Sequence, residues 1–503
     1  MSVCKWVIKQ HVTLFLEALN LALLVVTIIL GPRGWPLVGN IFDLGKLVRE
    51  TKFYNKAWCL LAKKYGPVVA LRLGLSEPMI LVSGRDAVLE MLTRSEFDGR
   101  PNGFIFRFRS GGVRRGIIFT DGETWIHQKR FVVKTLRTFG FGKEAIEDFV
   151  LQNALSLTRI ISRLAKEGPV KNFESLNSVA VLNSLLIIIT CYIRRFDLEK
   201  EHAELAVVLK VLHDIMRASN VSGGIVNQLP FLRHIFPGLT GFKDFQQRLT
   251  RIIDYFKNVV AQHQKNRTEN GEHRDFIDAY LSEIDAQKSQ SKVSQFDEDQ
   301  LTNTIKDLFS AGVETTNNSI GFVVVYLAAH QNVQSKLHDE IDTVFGRNGL
   351  PSIAEKPRMP YLAAVLSEVM RMANIGPTTI PHRALADTEL CGYRIRKNYT
   401  LLANLKSVHM DPEHWGDPEV FRPERFIDSQ GKFIEDPWLM SFGLGRRRCM
   451  GESLARNTTF VFVACLFQKF HFKLPEEQAN ISFEGIEGFT IAAPSVDFII
   501  TER

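Results

Sequence analysis

The chain has 503 residues, 45% of them hydrophobic and 23% charged, with a formal net charge of +7. That apolar content is ample for a sizeable core, and no Pro/Gly/Ser-rich divider, repeat or low-complexity tract splits the body, which favours one large catalytic unit. A charge this modest, with no block of like sign, gives no nucleic-acid tail; it suits a docking surface for an acidic partner, or plain solvated lysines and arginines.

At the amino end lies LFLEALNLALLVVTIIL, residues 14–30, interrupted only by Glu17, Asn20 and Thr27. A bilayer span needs about 17–25 mostly apolar residues. The run is long for a cleavable signal and is followed by GPRGWPLVGN, not by a small-residue cleavage site. Residues 1–31 are therefore expected to be a retained membrane anchor, and residues 32–503 the catalytic body.

In the body, VVALRLG (68–74) and PMILVSG (78–84) are β-rich runs joined by a Ser-Glu-Pro turn, which predicts a hairpin. Residues 274–284, 297–330 and 360–373 carry apolar residues at helical spacing. The polar stretch DAQKSQSKVSQFDEDQ, residues 285–300, reads as a surface loop. Helix outweighs strand, so the fold class is mainly α with a smaller β region, an α+β chain.

Three stretches carry chemistry. In DLFSAGVETTNNSI, residues 307–320, a mid-helix Gly312 costs about 1 kcal/mol of helix stability and returns space beside Ala311. Thr315 can turn its hydroxyl to a local carbonyl, with Glu314 beside it. A helix-packing contact with a surface Glu-Thr pair is the plainer account. In LSEVMR (366–371), Glu368 and Arg371 share one helical face, and FRPERF (421–426) adds Arg425. In FGLGRRRCMG, residues 442–451, three glycines let the backbone approach Cys449, and an apolar helix follows whose positive end would face the sulfur. The six cysteines are widely spaced without a C-x-x-C pair, which disfavours a disulfide framework or zinc cluster and suits a reducing compartment. One cysteine can, however, be the single axial ligand of a cofactor that brings its other ligands, as haem does.

The pattern F-x-x-G-x-R-x-C-x-G, met at Phe442, Gly445, Arg447, Cys449 and Gly451, resembles the cysteine-ligand loop of the cytochrome P-450 haem-thiolate monooxygenases. AGVET at 311–315 and the set Glu368, Arg371 and Arg425 are similar to that family's oxygen-activating helix and buried Glu-Arg-Arg network, in the family's order. FDGRP, GIIFTDGETW, LRTFGFGK and RDFIDAYL are most similar to the microsomal family-2-like branch, and to arthropod members of it, some of which epoxidise or hydroxylate sesquiterpenoids such as methyl farnesoate.

The resemblance implies a single P-450 domain with haem b (iron protoporphyrin IX), Cys449 as the iron ligand, and Thr315 and Glu314 carrying protons. It nominates Arg100, Trp125, His382 and Arg447 around the haem propionates, and Phe442 and Gly451 in the loop. Where the family has Trp followed four residues on by arginine, this chain has Lys129, and the arginine is displaced to Arg130. Lys129 still shares the helical face of Trp125, while Arg130, Lys134 and Arg137 form a separate basic stripe, suited to an NADPH-dependent flavoprotein reductase or to plain solvation. Ile117, Phe119, Phe309, Ala311, Phe489 and the segment 375–380 would line a pocket for a lipophilic small molecule. The expected setting is the endoplasmic reticulum membrane, with the catalytic domain on its cytoplasmic side. Proteins of this fold that rearrange peroxides, and haem sensors without turnover, are the alternatives. The usual basic, proline-rich hinge after the anchor is reduced here to GPRGWP.

Overall fold

The computed structural model describes residues 30–140, 144–190, 203–267, 273–289 and 295–503. The expected anchor, apart from Leu30, lies outside them. No helix among the described residues is long and apolar enough to cross a membrane.

Helices of nine or more residues are α1 (Ile41–Thr51), α2 (Tyr54–Tyr65), α3 (Arg85–Thr93), α4 (Gly122–Thr138), α5 (Glu144–Leu164), α6 (Phe173–Thr190), α7 (Ala203–Ala218), α8 (Phe242–Lys265), α9 (Phe276–Ser289), α10 (Glu298–Ala329), α11 (Gln331–Val344), α12 (Pro360–Ala373) and α13 (Glu452–Lys469). The strands are short: β1 (Val68–Leu71), β2 (Met79–Ser83), β3 (His382–Arg383), β4 (Thr388–Leu390), β5 (Tyr393–Ile395), β6 (Thr400–Asn404), β7 (Phe470–Lys473) and β8 (Ile499–Glu502). This is the helix-dominated α+β architecture that the apolar spacing predicts.

Strands β1 and β2 form the expected antiparallel hairpin, with Val69 opposite Leu81. Strand β2 then pairs in parallel with β6, Val82 opposite Ala403, and β3 closes the order β1-β2-β6-β3. Two hairpins, β4-β5 and β7-β8, stand apart from it.

The 285–300 stretch departs from the expected loop, because α9 continues to Ser289 and α10 begins at Glu298. Ala286, Gln287 and Lys288 are good helix formers that lose little rotamer freedom, and Gln287 donates to Glu283 at 2.7 Å, one turn back. Asp297 then caps α10, accepting the Gln300 N–H at 2.6 Å.

Helix α10 runs through the centre, packed against α6, α8, α12 and α13. Leu301, Ile320, Phe322, Val324 and Leu327 along it are fully buried. A helix apolar on several sides has to be surrounded, and this one forms the floor on which the remaining elements are placed.

A buried ion cluster fixes the chain leading to Cys449. The Glu368 carboxylate accepts Arg371 Nε and Nη2 at 2.7 and 2.9 Å, Arg425 Nε at 3.0 Å and the Arg422 backbone N–H at 2.9 Å. Arg371 passes its remaining donor, Nη1, to the His409 carbonyl at 2.9 Å. The His409 ring continues the relay: Nδ1–H donates to Asn374 Oδ1 at 2.7 Å, and Nε2 accepts the Met440 N–H at 3.0 Å. Burial, with Arg371 close by, pushes this imidazole down to about 3, so it is neutral and one nitrogen is free to accept. Substituting His409 by leucine should leave the buried Met440 N–H unpaired and cost about 1–3 kcal/mol. Urea unfolding, with limited proteolysis in residues 436–451, measures this; unchanged stability and unchanged cleavage would contradict the relay.

Candidate active site

The cysteine loop is held by its own backbone. The Cys449 N–H donates to the Phe442 carbonyl at 2.9 Å, and Gly443 and Gly445 turn the chain at φ 68° each. A Cβ at Gly445 would collide with the Leu92 carbonyl oxygen of α3, so the loop lies directly on that helix and only glycine fits. Helix α13 starts behind it at Glu452, with Gly451 as its cap.

The sulfur opens into a cavity of about 470 Å³ and is exposed there although it lies deep in the fold. Burial pushes the Cys449 thiol up, and the Gly451 N–H pulls the other way without cancelling it. The expectation that amides and the helix end hold the sulfur ionised is thus met only in part. Desolvation outweighs them in the protein alone; a positive centre bound at the sulfur would supply the rest.

Across the cavity α10 presents Ala311, Gly312, Thr315 and Thr316. Thr315 Oγ1 donates back to the Ala311 carbonyl at 2.7 Å. A Cβ on Gly312 would sit 2.8 Å from Leu185 Cδ1, so this glycine admits α6 as well as opening the wall. The groove and the helix-packing contact proposed from the sequence are one feature. Leu185 and Ile189 of α6, Ile117, Ile375 and Ile380 complete a largely apolar enclosure.

One rim is crowded with cations. Arg100, only 4% exposed, donates to the carbonyls of Ile118, Ile380 and Pro381 at 3.0, 3.3 and 3.1 Å. Arg447 donates to the carbonyls of Asp98 and Thr120, both at 2.9 Å, and stacks 3.7 Å from the Trp125 ring centre. Lys129 Nζ donates to the Arg446 carbonyl at 2.6 Å and lies on the cavity side of α4, whereas Arg130 is exposed on the solvent side. His382 Nδ1–H donates to the Phe97 carbonyl at 2.7 Å.

Desolvation, then mutual repulsion, lowers this group. Arg447 falls to about 10, Lys129 is lowered, and Arg100 lies well below its ordinary value. Burial and Arg100 keep His382 neutral. The nearest carboxylates are engaged elsewhere: Asp121 with Arg114 and Arg383, Asp98 with Arg446 at 3.4 Å. Buried cations held only by carbonyls are costly unless an anion arrives. An open sulfur faced by such a rim fits a haem, whose iron needs the thiolate and whose two carboxylates need the cations.

Not every expected residue reaches the cavity. Phe442 and Gly451 line it, as does Trp125, but Phe119, Phe309 and Phe489 do not. Phe119 packs on Phe106, ring centres 5.1 Å apart, under Arg109. Phe309 is turned to Phe256 of α8 at 5.2 Å. The Phe489 N–H is tied to the Met216 carbonyl at 2.7 Å, which leaves Thr490 on the wall instead. Glu314 also points away, to Arg217 of α7 at 2.7 Å, and is not a wall residue. Sequence reasoning missed Leu185, Thr490, His409 and Arg217. Each acts through a partner distant in the chain, and only Gly312, which meets Leu185, carried a hint in the sequence.

Residues 29–500 match the family described as Cytochrome P450. Among curated relatives, the farnesoate epoxidase of Bombyx mori is 35% identical over 94% of this chain and 93% of its own length. The probable cytochrome P450 305a1 of Drosophila melanogaster is 34% identical, covering 91% of each chain. Cytochrome P450 2D3 of Rattus norvegicus is also 34% identical, over 92% of this chain and 90% of its own. With a match over nearly its whole length and relatives of this similarity, the chain belongs to the cytochrome P450 family and is a haem-dependent monooxygenase.

Proposed function

We propose that Cys449 ligates the iron of haem b as a thiolate, and that the enzyme inserts one atom of dioxygen into a lipophilic small molecule with electrons drawn from NADPH through a flavoprotein reductase. The observation that carries this reading is the open Cys449 sulfur facing Ala311 and Thr315 across a mainly apolar cavity. Bound there, the haem supplies dioxygen binding and O–O cleavage, one oxygen atom going to substrate and the other leaving as water.

The protein's part is placement. Arg100, Arg447 and Lys129 hold the propionates, and an arriving carboxylate raises the proton affinity of the neutral His382 so that it can donate as well. The exposed methyl of Ala311 leaves room in the cavity across from Cys449, and the Thr315 hydroxyl, once released from the Ala311 carbonyl, would donate into that room. Ile117, Leu185, Ile375 and Ile380 bind substrate by desolvation, which selects apolar molecules. The relative named farnesoate epoxidase makes a sesquiterpenoid acid or ester the first class to try.

Two surfaces support the setting. Trp35, Leu37, Leu75, Phe231, Ile235 and Leu239 are exposed apolar side chains. Backbone bonds join their segments, Gly74 N–H to the Val38 carbonyl and Leu75 N–H to that of Gln228. One apolar face of this kind suits the endoplasmic reticulum membrane, with residues 14–30 as anchor and the catalytic domain on the cytoplasmic side. On α4, Arg130, Lys134 and Arg137 are exposed, near the exposed Arg446 and Arg448 of the cysteine loop, a basic surface for an acidic reductase.

Substitutions at three positions test these assignments. Lys129→Ala should speed haem transfer to apomyoglobin roughly tenfold, the loss of one charge-assisted hydrogen bond of about 1.5 kcal/mol, and Arg130→Ala should change it little; the reverse order contradicts the propionate assignment. Arg130→Glu should raise the reductase concentration needed for half-maximal NADPH oxidation several-fold at low salt, less at high salt, and a salt-independent effect would speak against docking. Thr315→Ala should increase hydrogen peroxide released per NADPH; an unchanged ratio removes the hydroxyl from proton delivery.

A further inference from the structure

Three buried polar side-chain atoms without a partner among the described residues gather around Arg217. They are Glu174 Oε1 on α6, Arg217 Nε itself on α7, and Glu487 Oε2 in the segment before β8. They belong to the surroundings of Glu314. Its Oε1 lies 2.7 Å from Arg217 Nη2 and accepts Asn318 Nδ2 at 3.2 Å, while its Oε2 is 3.7 Å from His213 Nδ1. Arg217 Nη2 also donates to Thr490 Oγ1 at 3.0 Å, and Arg217 Nη1 to the Ile486 carbonyl at 2.7 Å. Thr490 lines the cavity, whereas the His213 side chain is 44% exposed. A polar seam thus runs from solvent at His213, through Glu314 and Arg217, to the cavity wall. Buried polar groups left unpaired by protein are the groups that ordered water satisfies, and the unpaired atoms here line the seam.

The charges in it are unbalanced. Glu314 faces the seam from α10, Glu174 from α6 and Glu487, which burial pushes up to about 7, from the segment before β8; Arg217 opposes them, joined at Glu487 by Lys406. Asp214, the other acid nearby on α7, is turned to Arg248 of α8 at 3.9 Å. An imidazole beside the Glu314 and Glu174 carboxylates, with only the Arg217 guanidinium opposing them, gains protons. Glu314 raises His213 above its ordinary value against burial, and His213 with Arg217 outweighs burial to lower Glu314.

We propose that His213 is the solvent-side proton donor to Glu314, and that the protons consumed in turnover enter through this seam. The step balances simply. The imidazolium N–H gives its proton to the Glu314 carboxylate, the neutral imidazole takes another from bulk water, and Glu314 passes its proton to seam water at Thr490. Two such transfers per turnover, with two electrons, account for the water that leaves. His213 is a positioning residue, acting through Glu314, and the inference rests on the reading of Glu314 and Thr315 as the proton-handling pair.

The test uses the full-length holoenzyme reconstituted with reductase, recording hydrogen peroxide released per NADPH between about pH 6 and 9, the range in which a raised histidine titrates. Below its pKa His213 is charged and supplies protons; as pH rises through that value the supply falls and the peroxide share should rise. His213→Gln should abolish this inflection and give a peroxide share several-fold higher on the acid side. Glu174→Gln, which removes one negative charge, should move the inflection to lower pH. In histidine-labelled protein the His213 resonance should titrate above the ordinary range and move back toward it in Glu314→Gln. A His213→Gln profile superposing on the parent's, while Glu314→Gln uncouples, overturns this inference alone. A Glu314→Gln enzyme coupled like the parent overturns the proton-pair reading and this inference together. A His213 titration indifferent to Glu314→Gln overturns the contact on which the proposal stands.

Discussion

A sulfur atom left open at the bottom of a desolvated cavity is the constraint to which the rest of the molecule answers. Water is a good solvent for a thiolate and the interior is a poor one, so Cys449 is pushed toward its neutral form. The loop around it resists with what backbone can offer, the Phe442 carbonyl closing the turn and the Gly451 amide facing the sulfur. Those groups orient the atom and leave its charge to be matched by whatever binds. A site built this way suits a metal centre that arrives with its other ligands, the role proposed above for haem.

The same logic repeats at the rim. Arg100 and Arg447 are desolvated and repel each other, offset in part by carbonyl contacts, the Trp125 ring under Arg447 and the charges of Asp98 and Asp121. Alone they lower stability; with a dianion between them they convert that cost into affinity. On the proposed assignment, folding and haem binding would be coupled through both ends of the site, sulfur at one and guanidinium at the other. The Glu368 cluster and the His409 relay lie behind it, and they set where the loop begins. Glu368 pairs both Arg371 and Arg425, and Asp417 gives Arg425 a second carboxylate at 3.1 Å, so each guanidinium has an acid partner, which suits parts meant to stay fixed.

Much of this was legible in the sequence. Helix α10 and helix α12 appear in the spacing of apolar residues, and the hairpin in its β-rich runs. The cysteine loop announces itself because glycine and cysteine at fixed spacing have few other uses. What the sequence could not convey is which way a side chain turns when a distant element competes for it. Phe309 belongs to α8 and not to the cavity, and Glu314 belongs to Arg217, a residue nearly a hundred positions away. The loop expected at 285–300 was shortened for a local reason, good helix formers at the end of α9, which polarity alone conceals. Lys129 is the instructive middle case: helical geometry placed it beside Trp125, while its bond to the Arg446 carbonyl needed the fold.

The central claim is that an ionised Cys449 sulfur is bonded to haem iron. The absorption spectrum of the reduced, carbon-monoxide-bound protein tests it most directly, because the Soret band reports the ligand opposite the gas. The account predicts a maximum at about 450 nm, the mark of thiolate ligation, lost when Cys449 is replaced by serine. A band well short of that in the parent protein, or one that survives the replacement, would contradict it.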